Sequence, residues 1–171
     1  MKQLVEKLIE KGKKISTMES CTGGGVANAI TNIPGASEII EYSAVTYSND
    51  FKVKMGVNPA IIEQYSVYSM ETADEMSKAI SAFANTTYGV GITGKLLRGD
   101  PNNPHGNDNE VYISVYDREK DEFYRKTVTV VYDTREENKA LVINEVKDLV
   151  LEALDNTYTP APTNPVQKVK N

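Results

Sequence analysis

Thr17-Met18-Glu19-Ser20-Cys21-Thr22-Gly23-Gly24-Gly25 is the stretch whose reading decides the fold. Lys14 to Met18 upstream is strand-like, and Val26 to Ile33 downstream is helix-like. A glycine-rich turn between a strand and a helix points backbone N–H groups outward at a helix N-terminus, where an anion is favoured. Ser20 and Cys21, two potential nucleophiles, occupy that same turn. An active site is expected here.

Upstream, Leu4, Val5, Leu8 and Ile9 have helical spacing, and Gly12 is a C-terminal stop. Downstream, Ile33-Pro34-Gly35 signals a turn, and Ile39 to Ser48, with Tyr42, Val45, Thr46 and Tyr47, reads as a second strand. Asn49-Asp50 caps a short helical segment through Lys52 and Lys54. Asn58-Pro59 opens a helix expected to bury Ile61, Ile62 and Tyr65. Ser69 starts a longer helix with Ala73, Met76, Ile80 and Phe83 on one apolar face. Tyr88 to Thr93 reads as a buried strand whose glycines permit close approach. Gly94 to Asn109 is expected to be a long irregular loop, a length that points to function or disorder. Glu110–Tyr116 and Phe123–Tyr132 alternate as a β-hairpin around Asp117 to Asp121. Thr134-Arg135-Glu136-Glu137 is a capping box for a helix reaching about Leu154.

Helices alternating with strands, followed by an antiparallel hairpin, imply an α/β layered fold with a mixed sheet. The expected organisation is a single domain over residues 1–154. The segment 155–171, with Pro160, Pro162 and Pro165 and the terminal Lys168 and Lys170, is expected to be a disordered tail. Ligands in such sheets bind beyond strand carboxyl ends. The glycine turn, the segment after Tyr47 and the loop after Thr93 all leave such ends, so they converge on one cleft.

Composition excludes several function classes. The net charge of −5 argues against a nucleic-acid partner, which needs a basic face. No apolar run approaches the ~20 residues needed to span a bilayer. Charges interleave with the apolar residues of Met1 to Lys13, unlike a signal peptide. A single cysteine precludes an intramolecular disulfide, and a cytoplasmic location is expected. One His and one Cys make a zinc site of N and S ligands untenable, so no metal is expected. The one histidine, His105, sits among Asn, Pro and Gly and reads as a solvated loop residue rather than part of a triad.

The turn fits neither common nucleotide pattern. It lacks Gly-Lys-Ser/Thr, and Asn28 stands where a dinucleotide fingerprint needs glycine. On the turn alone, a structural connection and an anion site are both consistent. Ser20 adds chemistry: a hydroxyl at a helix N-terminus attacks a carbonyl if a base takes its proton and N–H groups hold the oxyanion. With histidine scarce, the base is Lys or Tyr, and Tyr47 and Lys52 just past the second strand are candidates. Cys21 competes as nucleophile, since helix N-termini lower thiol pKa values, but it also suits a buried structural role.

Glu19 to Gly24, then Pro34-Gly35-Ala36-Ser37, then Val45-Thr46-Tyr47-Ser48-Asn49-Asp50-Phe51-Lys52, resembles the CinA C-terminal domain family. This is the nicotinamide-nucleotide amidohydrolase (NMN deamidase) family. The resemblance continues through Lys54-Met55-Gly56-Val57, Tyr68-Ser69 and Gly91-Ile92-Thr93-Gly94, from about Lys13 to Leu154. It implies a three-layer α/β/α sandwich that hydrolyses the carboxamide of nicotinamide mononucleotide to nicotinate mononucleotide and ammonia, without metal or cofactor. Carried over, Ser20 is the nucleophile, and Lys52 and Tyr47 form the proton-transfer pair. Thr22, Gly23 and Gly24 supply backbone donors. Asn49, Thr93 and Gly94 complete the substrate site. Members are commonly homodimers acting on a small-molecule nucleotide.

The sequence departs from the family after Gly94. Lys95-Leu96-Leu97-Arg98-Gly99-Asp100-Pro101 replaces a small, glycine-lined wall. Arg98 is then placed to contact a phosphate. Two further readings follow from that departure. One is a catalytically impaired nucleotide-binding or regulatory homologue, and the other is an amidase with a different, acidic substrate selected by Lys95 and Arg98.

Overall fold

Ile15–Glu19 forms β1, buried at every position, as a central strand covered on both faces requires. The computed structural model describes residues 1–162. Its other strands are β2 (Ala44–Val45), β3 (Tyr88–Gly94), β4 (Glu110–Asp117) and β5 (Glu122–Thr129). They form one mixed sheet in the order β2-β1-β3-β4-β5. β2 and β3 run parallel to β1, while β4 and β5 continue antiparallel as the expected hairpin.

Among the described residues six helices cover the sheet: α1 (Lys2–Lys11), α2 (Gly25–Thr31), α3 (Asn49–Lys54), α4 (Pro59–Tyr65), α5 (Met70–Ala84) and α6 (Arg135–Asp155). Ile15, Val90, Ile92, Ile113 and Val115 pack with Val142, Val146 and Leu149 of α6 and with α1 and α2 on one face. Met18 packs with Val57, Met76 and Ile80 under α5 on the other. The result is the α/β/α layering. Strand alternation sends β1 residues to the two faces in turn.

Gly89 and Gly91 of β3 face α5. A Cβ at Gly89 would lie 2.0 Å from Ser77 O, and one at Gly91 would lie 2.2 Å from Ala73 O. The helix backbone therefore rests directly on the strand, and this close approach is what the two glycines are for.

Several expectations need correction. The second strand is two residues long rather than ten. Ile39 closes a 3-10 turn (Ala36–Glu38), and Ser43 Oγ, not a carbonyl, accepts from Thr17 N at 3.1 Å, so a side chain displaces the ladder there. Phe83, expected in the core, is 63 % exposed and stacks on Tyr42 with ring centroids 5.1 Å apart. Ile61, Ile62 and Tyr65 are only half-buried, and α4 buries no residue fully. The strand expected to reach Tyr132 ends at Thr129.

The expected tail begins too early. Asp155 is still helical and pairs with Lys7 at 2.6 Å, and Asn156 caps α6 in the left-handed conformation. Tyr158 packs edge-on against Tyr124, and its hydroxyl bonds both Arg125 N and Arg125 O at 3.0 Å. That caps part of the open edge of β5. Pro165, Lys168 and Lys170 lie outside the described residues.

The loop after β3 is not featureless. Leu97 N donates to Asp108 O at 2.8 Å, and Asn103 N donates to Asp100 O at 3.1 Å. The near-buried Lys95 ammonium pairs with Asp108 at 2.9 Å and lies over the Tyr68 ring.

Candidate active site

Ser20 leaves β1 directly, and its amide donates to Ile92 O at 3.1 Å. The hydroxyl is thereby anchored at the carboxyl ends of the two central parallel strands. Lys52 arrives from α3, whose N-cap Ser48 accepts from Phe51 N at 3.2 Å. This short helix turns its cation inward and its aromatic outward: Lys52 is 1 % exposed and Phe51 is 57 % exposed. Such a break with ordinary patterning costs stability and is characteristic of a functional site.

Lys52 Nζ lies 3.1 Å from Ser20 Oγ, 2.7 Å from Thr46 O and 3.5 Å from Tyr47 O. Among the described residues no carboxylate pairs with it. Burial pulls its pKa from 10.5 down to about 8. In the neutral amine the two N–H groups can serve the two carbonyls, leaving the lone pair for the Ser20 hydroxyl. That is the geometry of a nucleophile and its base.

Cys21 is disfavoured by burial as the competing nucleophile. It is buried, and burial pushes its thiol up to about 12, outweighing the nearby Lys52 and Arg135 charges. The thiolate is therefore suppressed at neutral pH.

Tyr47 does not take the place expected of it. Strand-like alternation puts Thr46 inside and Tyr47 outside, where it is 64 % exposed. Its hydroxyl accepts from Arg135 Nη2 at 3.3 Å, and only its main-chain carbonyl reaches Lys52.

The glycines also differ from expectation. Gly23 N donates to Ser20 O at 3.0 Å and is not free. Thr22, Gly23 and Gly24 line a separate hollow of about 430 Å³ against Lys139 and Ile143 of α6. The anion at the head of α2 is the protein's own: Val26 N and Ala27 N donate to the Glu19 carboxylate at 2.9 and 3.0 Å. On the Ser20 side, the Cys21 amide makes no hydrogen bond to another described residue.

A cavity of about 590 Å³ opens over Ser20 and Lys52, within the range of small-molecule sites. Tyr47, Asn49, Tyr68, Gly94, Arg98 and Arg135 contribute to its walls, as do Lys95 and Asp100. Asn49 Nδ2 donates to Asn103 Oδ1 at 3.0 Å, tying α3 to the loop. Thr93 is not part of the wall. It is fully buried and donates to Val67 O at 2.8 Å, a structural link.

Residues 1–154 match the model of the CinA C-terminal domain. The chain belongs to that family. A CinA-like protein of Endomicrobium trichonymphae is 34 % identical over 146 residues, covering 84 % of this chain and 33 % of the relative. A competence-damage inducible protein of Alkaliphilus oremlandii is 46 % identical over 96 residues, covering 55 % of this chain and 23 % of its own. The chain thus spans 23 % to 33 % of the length of these curated relatives. A CinA superfamily protein of Klebsiella pneumoniae superposes with a TM-score of 0.83 at 22 % identity, covering 91 % of this chain and 95 % of that one. One from Escherichia coli superposes with a TM-score of 0.79 at 24 % identity, covering 89 % and 87 %. The α/β/α sandwich with its mixed sheet is the fold of these CinA superfamily structures.

In this CinA-type domain the sequence gives Arg135 and Tyr68 no place in the wall, and Asp100 only as the carboxylate of the segment that follows Gly94. Arg135 reads as part of a capping box, yet its guanidinium reaches the rim of the cavity. Tyr68 donates to Asp100 at 2.6 Å, and burial followed by that bond raises its pKa. Asp100, bonded also by Asn103 Nδ2 at 2.9 Å, is held well below the usual carboxylate range by these bonds. Only the fold brings these three together.

Proposed function

We propose that the protein hydrolyses the carboxamide of nicotinamide mononucleotide, giving nicotinate mononucleotide and ammonia. The observation that carries this reading is the 3.1 Å contact between Ser20 Oγ and the buried, pKa-lowered Lys52 inside the cavity. Ser20 Oγ attacks the carboxamide carbon and its proton passes to Lys52 Nζ. The Cys21 amide, beside the nucleophile, holds the oxyanion. Collapse breaks the C–N bond as the Lys52 ammonium protonates the departing amine to ammonia. Water then attacks the acyl-serine, with neutral Lys52 again taking the proton, and releases the carboxylate and the Ser20 hydroxyl.

Arg98 and Arg135 on the wall give the cavity a cationic side in an otherwise acidic chain, which suits a phosphate-bearing substrate. In this reading the protein is a cytoplasmic homodimer acting on a free nucleotide without a cofactor. Among the described residues no helix is long and apolar enough to cross a membrane.

The test is ammonia release from nicotinamide mononucleotide by wild type, Ser20→Ala and Cys21→Ala. Loss in Ser20→Ala with retention in Cys21→Ala is the expected outcome, and the reverse pattern would overturn the serine assignment. A wild type that binds the nucleotide without releasing ammonia would favour the binding homologue. Ammonia from other carboxamides only would favour the different amidase.

A further inference from the structure

We propose that Glu19 is the positioning residue of the Ser20 centre, which assumes the serine reading above. Its carboxylate is fully buried, yet no cation pairs with it among the described residues. Four donors surround it instead. Thr22 Oγ1 and Val26 N donate to Oε1 at 2.6 and 2.9 Å, and Ala27 N and Thr17 Oγ1 donate to Oε2 at 3.0 and 3.2 Å.

The location explains the arrangement. The N-cap of α2 is Gly24, which has no side chain to offer the helix amides. Glu19, five residues earlier, takes the two amides an N-cap side chain would serve. It thereby pulls both ends of the Ser20–Gly25 turn onto the end of β1. The turn has no slack: Ser20 N is held by Ile92 O, and Gly23 N and Gly25 N close back on Ser20 O and Thr22 O. The Cys21 amide is bonded to no other described residue.

The same residue also reaches the base. Thr46 N donates to Glu19 O at 2.9 Å, and Thr46 O in turn accepts from Lys52 Nζ at 2.7 Å. The side chain of Glu19 thus fixes the nucleophile and its main chain fixes the base. A carboxylate is needed because each of its oxygens accepts from a backbone N–H, Val26 on Oε1 and Ala27 on Oε2. In Glu19→Gln the amide nitrogen would face N–H groups it cannot bond, and the turn would lose at least one anchor. Displacement of a nucleophile by about 1 Å costs on the order of 10²-fold in rate.

The test uses two readouts on the full chain. The first is kcat and KM for ammonia release from nicotinamide mononucleotide across pH. The second is labelling of Ser20 by an alkyl fluorophosphonate, read by mass, which forms the Ser20 Oγ–phosphorus bond with loss of fluoride and does not depend on the natural substrate. Glu19→Gln is expected to lower kcat and the labelling rate on the order of 10²-fold. KM should stay within about threefold and the pH midpoint near that of wild type, because the main-chain link to Lys52 is untouched. Val26 and Ala27 amides should exchange with solvent faster than in wild type.

Labelling of Glu19→Gln at the wild-type rate would overturn the proposal while leaving Ser20 as nucleophile. Equal losses in affinity and kcat, or a shifted pH midpoint, would also overturn it. A wild type labelled at Ser20 but inactive on the nucleotide would remove only the substrate assignment, and the labelling comparison would still decide. A wild type that is neither labelled nor active would remove both readings. If Glu19→Gln does not fold, Thr22→Val, which deletes the 2.6 Å bond, replaces it, with a labelling loss of about tenfold expected and no loss overturning the proposal.

Discussion

A Lys52→Met variant is expected to lose about 10³-fold or more in kcat while gaining stability. The loss follows from chemistry: methionine fills the volume but cannot take the Ser20 proton. Wild-type kcat/KM should rise with pH and level off above about 8, where the amine is neutral. The double variant with Ser20→Ala should be no worse than either single one, because the two groups act as a unit.

The gain in stability follows from the same burial. Lys52 has a folded pKa of about 8 and an unfolded one of 10.5, so the unfolded chain holds the proton more tightly. At pH 7 both states are charged and the folded protein bears the full cost, roughly 3 kcal/mol for a depression of that size. Between about pH 8 and 10.5 the unfolded chain binds more protons, so wild-type stability climbs with pH in that window. Lys52→Met removes the cost but leaves Thr46 O without its donor, for a net gain of about 1–2 kcal/mol at pH 7. Urea unfolding at pH 7 and pH 10 checks this. A variant less stable than wild type at pH 7, or a wild type with no rise in that window, would sink the argument.

Much of this site was legible in the sequence because its chemistry lies in a local motif. Ser20 stands in the turn, and Lys52 follows the second strand by a few residues. The side chains that failed to match failed for reasons of direction. Tyr47 lines the cavity, but alternation turns its hydroxyl toward Arg135 instead of Lys52, while Thr93 shares its stretch with the wall residue Gly94 and is buried against Val67. The glycine turn is open in the sequence between a structural connection and an anion site; the anion that its helix amides bind is the chain's own Glu19, two of whose four partners are backbone amides that leave no side-chain signature. Arg135 has two roles, opening α6 and reaching the rim of the cavity, and only the first has a sequence pattern. Phe83 fits the helical period of α5, yet it lies in the last turn before Ala84, where its exposed ring meets Tyr42.

Gly91→Ala is expected to destabilise the fold by roughly 3 kcal/mol or more, a large share of the ~5–15 kcal/mol typical of a domain. The added methyl would sit 2.2 Å from Ala73 O, 2.7 Å from Ser77 N and 2.9 Å from Met76 Cβ. Two of these are helix backbone atoms, which cannot yield without moving α5 as a body. Loss of glycine flexibility in the unfolded chain would return only about 0.4–1 kcal/mol. Moving α5 would also strain the Thr93–Val67 link and the Ile92 carbonyl that anchors Ser20, so activity should fall with stability. Gly99→Ala is the control, since its nearest neighbour would be Asp108 Oδ2 at 3.5 Å and its φ is not positive. It should shift the urea midpoint by less than about 0.5 kcal/mol equivalent. Equal midpoints for the two variants would mean that α5 is not seated on β3 as described, and the close backbone contact would have to be abandoned as the reason for glycine there.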